Sequence, residues 1–316
     1  MTQAGNLQGI HATLPELIRA RPARKNTGFA PGGRVTTHQW GANRSVFRGR
    51  GMEFDESRSY QPGDDVRAID WRVTARTGTV HTKQFHEERD RPVHLLLDLR
   101  PMMRFGTRVR FKAHLAAEIA AMLAWVGHDG GDSIGGFILA PSELVYVAPT
   151  RTRRGLLSFL ERIVEIGTAP GTEPATPPTL SNALHRTRRT CRPGTLVFVI
   201  SDYADYDDTT DKELRRLGLH THVTNIFVSD PLDAVLPPAG GRLTDGERAV
   251  RVAGLGRRAL DSYALSFAER QARVARAARR RGMAFHTITT PDDPKTLLHP
   301  DIGQVSRKAR LGRKVA

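Results

Sequence analysis

Carboxylates dominate the residues of this chain that could do chemistry. "LLLDLRPMM" sets Asp98 at the end of one continuous apolar run, and "LVFVISDYAD" sets Asp202 at the end of another. Sites in open α/β sheets form at the carboxyl ends of strands, and two acids converging there could hold a hard cation such as Mg²⁺ through oxygen ligands. A second acid cluster lies upstream. "SRSYQPGDDVRAIDW", residues 57 to 71, sets Asp64, Asp65 and Asp70 among Arg58, Tyr60, Arg67 and Trp71. Pro62-Gly63 suits the two central positions of a type II turn. Successive side chains of a strand face opposite ways, so Asp64 and Asp65 cannot both reach one ion unless the turn continues past them. The spacing predicts a structural clasp or docking edge in preference to a catalytic acid site: an acidic turn neutralised by Arg58, Arg67 or Arg76, with Trp71 as a buried anchor.

Other chemistry-bearing patterns are weaker. In "VHTKQFHEE", His81 and His86 stand five apart and face opposite sides of a strand, which rules out shared ligation. "GLGRRA" at 254 to 259 imitates a dinucleotide fingerprint but leaves too little chain after it for the two βαβ halves such a fold needs. The sequence has no Gly-x4-Gly-Lys-Ser/Thr loop and no Gly-x-Ser-x-Gly elbow, so an ATP-driven activity must come from a partner.

The elements that must position Asp98 and Asp202 follow from periodicity. "PVHLLLDL", "TLVFVIS" and "HVTNIFVSD" read as strands buried on both faces. Between them fall the helical patterns 110–127, 151–167 closed by Gly167, 179–191 and 210–218, and a hairpin of "DSIGGFILA" with "ELVYVAP". A second hairpin is signalled at Asp245-Gly246. An amphipathic helix at 261–281 and the strand "MAFHTITT" close the pattern. Strands alternating with helices predict an α/β fold, a mostly parallel Rossmann-like sheet with helices on both faces, over 91–302. Residues 1–90 hold one short helix, "LPELIRA", and short strand-like runs, "GRVTT", "GMEFDES", "VRAIDW" and "VHTKQFHEE", which predict a small N-terminal β-rich appendage.

Composition narrows the function classes. The chain has 316 residues and a formal net charge of +15, which could mark a nucleic-acid or acidic-lipid surface. Much of the excess sits in "ERQARVARAARRR" and in the basic tail 303–316, and reads as a solvated helix face and a frayed end. No apolar run is long enough to cross a bilayer. The single cysteine, Cys191, excludes an intrachain disulfide and fits a cytoplasmic location.

"GRGMEFDESRSYQPGDDVRAIDWRVTART" at 49–77, followed by the strand bearing Asp98 and by "SDPLDAVLP", resembles the bacterial family catalogued as domain of unknown function 58. The resemblance implies a von Willebrand factor A-like domain and, as partner, a MoxR-type AAA+ ATPase. Such domains often hold Mg²⁺ through Asp-x-Ser-x-Ser, a threonine and a second aspartate. Here the first motif reads Asp98-Leu99-Arg100-Pro101-Met102, with Thr179 the nearest threonine. Arginine cannot coordinate a cation and competes with one for the same carboxylates. The expected site is vestigial, with Arg100 in the ion's place between Asp98 and Asp202, and no cofactor beyond weak Mg²⁺.

The expected function is a non-enzymatic adaptor acting with the ATPase and an unidentified client protein. Its contacts would be Arg100, Arg104, the 201–208 loop with Asp205, and the 58–76 segment with Arg58, Tyr60, Pro62, Gly63, Asp64, Asp65, Arg67, Asp70, Trp71 and Arg76. The alternatives are a basic nucleic-acid-associated protein, opposed by the 6% aromatic content, and a metal-dependent hydrolase.

Overall fold

The computed structural model describes residues 9–23, 48–86, 92–169, 178–236, 242–244, 249–251 and 256–298. The chain divides into two compact units, residues 40–90 and the remainder.

The larger unit is built on a six-stranded sheet. In chain order its strands are β3 (Val93–Asp98), β4 (Ile134–Leu139), β5 (Leu144–Thr150), β6 (Leu196–Ser201), β7 (His222–Ser229) and β10 (Ala284–Thr289). Their order across the sheet is β10-β7-β6-β3-β4-β5, with β5 antiparallel to β4 and every other pair parallel. Counted within this sheet, that is the doubly wound order 3-2-1-4-5-6, whose switch point lies between β3 and β6. All six residues of β3, of β4 and of β6 are buried, as continuous apolar runs require when helices cover both faces.

Helix α1 (Leu14–Arg19), α3 (Lys112–Asp129) and α4 (Arg153–Thr168) pack on one face. α5 (Leu180–Thr190), α6 (Asp208–Leu217) and α8 (Arg257–Arg280) pack on the other. The alanines of α3 keep it slim enough to be buried almost all round, as a helix with apolar residues on every side must be. Gly136 in β4 has φ +152, and a Cβ there would fall 1.9 Å from the Leu95 carbonyl oxygen; the close approach of β3 and β4 requires glycine. The expected fold class is the one observed.

The small unit ends at residue 90 as expected but begins at residue 40, since residues 1–39 group with the α/β unit. Leu17 of α1 is fully buried in the α/β unit, and Trp125 of α3 donates its indole N–H to the Leu17 carbonyl at 3.1 Å. Helix α4 runs through Gly167 to Thr168. The second hairpin is present as β8 (Arg242–Thr244) paired with β9 (Ala249–Arg251). Its turn, the run "GRVTT" and the 303–316 tail lie outside the described residues.

The smaller unit pairs β1 (Arg48–Ser59) antiparallel with β2 (His81–His86). Between them lie the Pro62-Gly63 turn, a 3-10 turn at Val66–Ala68 and the helix α2 (Trp71–Thr77). The expected strand "VRAIDW" is therefore replaced by a turn and a helix start. Asp70 caps α2 by accepting from the Arg72 and Val73 amides, and Gly78 closes it in the left-handed conformation, the cap residues that fix a helix at both ends.

Candidate functional site: a rim of paired charges

The carboxyl ends of β3 and β6 bring Asp98, Asp202 and Asp205 to the switch point, where water is scarce and buried charge must be paired. Asp98 is 1% exposed and Arg100 4%. The Arg100 side chain turns back on its own strand end and donates Nε and Nη2 to Asp98 at 3.0 and 2.8 Å. Its other edge donates Nη1 and Nη2 to Asp205 at 2.6 and 2.9 Å, and Nη1 also reaches the Pro178 carbonyl at 3.3 Å. The planar fork suits this double bidentate clamp, which an ammonium could not reproduce. The Ser201 hydroxyl and the Arg100 amide complete Asp98 at 2.7 and 3.1 Å, so all four of its lone-pair directions are used.

Burial pushes the Asp98 carboxyl upward, and Arg100 pulls against it. For Arg100 burial works against the charge, but hydrogen bonds to Asp205 and Asp98 hold its pKa above the ordinary arginine value. Asp205 is desolvated as well, yet Arg100 keeps it below the usual carboxylate range.

Asp202 belongs to a second pair. Its carboxylate accepts from Lys112 Nζ at 2.7 Å, and Asp233 approaches the same ammonium at 3.2 Å. Lys112 is 4% exposed. Burial disfavours its charge, but Asp202 and Asp233 outweigh that and raise its pKa. Next to it Asp230 accepts from the Thr107 amide and hydroxyl, the Leu232 amide and the Thr290 hydroxyl.

The turn between Asp202 and Asp205 separates the two clusters. Tyr203 takes φ +53, rare for a bulky residue. Its ring is fully buried, stacked on Phe227 at 5.7 Å, and its hydroxyl donates to Asn225 at 3.0 Å. That packing fixes a conformation the backbone alone would avoid.

Arg100 therefore lies between Asp98 and Asp205, where the sequence placed it between Asp98 and Asp202. Thr179 borders the same cluster but acts as the N-cap of α5, accepting from the Asn182 amide at 3.2 Å; the next amide, of Leu180, donates to Asp205 at 2.9 Å. Arg104 donates to the Ala169 carbonyl at 2.6 Å. These residues do not fit a divalent cation: a guanidinium fills the space between the carboxylates, and Met102 is 38% exposed. Among the described residues no group of three or more His, Cys, Asp or Glu side chains is placed to hold a metal. Lys112, Asp230 and Asp233 were missed by sequence reasoning. The Asp-Pro pair at the start of "SDPLDAVLP" was the available signal, because Asp before Pro at the first helical position marks an N-cap.

In the smaller unit each acid of the upstream cluster serves local structure. Pro62-Gly63 forms the expected turn, with Gly63 at φ +104 and the Asp64 amide donating to the Gln61 carbonyl at 3.0 Å. Arg58 pairs with Asp64 at 2.6 Å and holds its carboxyl below the usual range. Asp65 caps the 3-10 turn through the Arg67 amide, and Asp70 accepts from the Ser57 hydroxyl at 2.9 Å besides capping α2. Tyr60 donates its amide to the Val80 carbonyl at 2.8 Å. Of the three arginines expected to neutralise the turn, Arg58 is the one that pairs with it. One expectation fails: Trp71 is 69% exposed and is not a buried anchor.

A family model described as "Protein of unknown function DUF58" matches residues 56–273. The uncharacterized protein Rv1480 of Mycobacterium tuberculosis is 32% identical over 255 residues, 80% of this chain and 79% of that protein. Among solved structures, the conserved hypothetical protein BatB from Bacteroides thetaiotaomicron is 13% identical, covering 70% of this chain and 99% of that one at a TM-score of 0.42. The SpRpn10 VWA domain is 15% identical, covering 66% and 95% at a TM-score of 0.34.

Proposed function

The chain belongs to the family described as Protein of unknown function DUF58, and from that premise we propose that it is a non-enzymatic adaptor working with a MoxR-type AAA+ ATPase on a client protein. The observation that carries the reading is the pairing at the rim. Asp98, Asp202 and Asp205 are held by the chain's own Arg100 and Lys112, which leaves no carboxylate there free to act as nucleophile, base or metal ligand. A rim closed in this way offers shape and fixed charge to a partner. The absence of a phosphate-binding loop in the sequence assigns any ATP hydrolysis to another chain, and the family resemblance supports a MoxR-type ATPase. No helix among the described residues is long and apolar enough to cross a membrane, and the lone Cys191 supports a cytoplasmic setting. The test is co-purification with that ATPase and measurement of its turnover; binding with an altered rate is expected, and neither would end the reading.

The second reading, association with nucleic acid, draws on the +15 charge and on the exposed arginines of α8. It predicts binding that falls steeply with salt and survives removal of 303–316.

A further inference from the structure

The edge strand β5 and helix α5 border an open groove of about 600 Å³, away from the charged rim. Three features of it are placed to meet a partner. The first is the strand edge. β5 ends the sheet order, so one side of its backbone has no strand partner among the described residues, an arrangement that invites pairing with another chain. Only Pro149 interrupts it, which leaves Leu144–Ala148 able to pair. The second is an aromatic ring at the groove's base. Tyr146 is 46% exposed and is backed at 4.9 Å by Phe137, which is buried in the core. The third is charge. Arg186 and Arg189 line the groove from consecutive turns of α5, both exposed and neither ion-paired among the described residues, while Arg188 on the same helix is paired with Glu213. Like charges three apart on a helix repel weakly, and among the described residues no carboxylate pairs with either guanidinium.

We propose that this groove binds an extended acidic segment of a partner protein, added as a strand along Leu144–Ala148. One apolar side chain of the segment rests on Tyr146, which the buried Phe137 backs, and its carboxylates meet Arg186 and Arg189. Strand addition takes affinity from main-chain hydrogen bonds and specificity from pockets for alternate side chains, and the groove supplies both. A nucleic-acid strand could use the rings and the arginines but has no backbone to pair with β5, which decides for a peptide. The proposal goes beyond the adaptor reading and stands without the ATPase.

The test uses the full chain and a fluorescein-labelled ten-residue peptide of alternating acidic and small residues with one central phenylalanine, read by fluorescence anisotropy. Binding is expected, weakened at least tenfold by Tyr146→Ala and by Arg186→Glu with Arg189→Glu, all at exposed positions. Hydrogen exchange at the β5 amides should slow on binding. Three results would each overturn the proposal: no binding, equal binding by the variants, or tighter binding of a labelled oligothymidine that displaces the peptide.

Discussion

Removing the Arg100 side chain should be among the most costly single changes at the rim. Arg100→Ala deletes two hydrogen bonds to Asp98 and two to Asp205. Asp98, 1% exposed, keeps only the Ser201 hydroxyl and one amide. The Asp205 side chain, 27% exposed, keeps the Leu180 amide and some water. Breaking a buried pair from one side costs about 3–5 kcal/mol; the partial exposure of Asp205 places this case near the lower end, about 3 kcal/mol. For a domain of this size that is roughly a 10 °C fall in Tm. The sign with pH is fixed. Without the guanidinium, the buried Asp98 carboxyl has a folded pKa raised above its unfolded value, so folding retains a proton that the unfolded chain releases. The variant's deficit is thus full at neutral pH and narrows as pH falls. Urea unfolding followed by circular dichroism at pH 7.5 and pH 5 measures both, with Arg100→Lys as the control that keeps the charge and loses the fork. A loss below about 1 kcal/mol at neutral pH, or a deficit that grows in acid, would refute the reasoning.

Three further outcomes follow from particular residues. His94 is buried with Nε2 unbonded, and burial pushes its pKa down to about 4. The unfolded chain takes up that proton first, so about 3 kcal/mol is lost as pH falls from about 6.5 to 4; His94→Leu should flatten that limb of the urea-unfolding profile, and an unchanged slope would contradict the assignment. Asp70→Ala removes the cap of α2 and should cost about 1–2 kcal/mol, seen as faster hydrogen exchange at the amides of 72–77; unchanged exchange would show that the cap is idle. Gly136→Ala drives a Cβ against the Leu95 carbonyl and should cost on the order of 4 kcal/mol, measured by urea unfolding; a wild-type midpoint would mean that β3 and β4 can separate freely.

Much of this architecture is legible in the residues. β3, β6 and β7 are continuous apolar runs, and burial on both faces leaves such runs no other role. Asp98 and Arg100 could be picked out because a charged pair two residues apart, at the end of such a run, must be neutralised by something. The identity of Arg100's second partner was not legible. It depends on the reversal at Tyr203, whose positive φ is held by packing on Phe227, a strand away. Lys112 was hidden for a similar reason: a lysine at the start of a helix reads as solvated until tertiary packing brings Asp202 and Asp233 over it. The misplaced Trp71 had a local cause. Asp70 and Gly78 bracket "WRVTART" as N-cap and C-cap, a helix signature that strand alternation overrode in the reading of 66–71.

The central claim is that the chain's own guanidinium fills the space between Asp98 and Asp205 and leaves no room there for a cation. Anomalous diffraction from crystals of the unaltered protein equilibrated with millimolar manganese tests it most directly. The account predicts no anomalous peak between Asp98 and Asp205, with Arg100 still bridging them. A peak at that position, with the Arg100 side chain displaced outward, would contradict it.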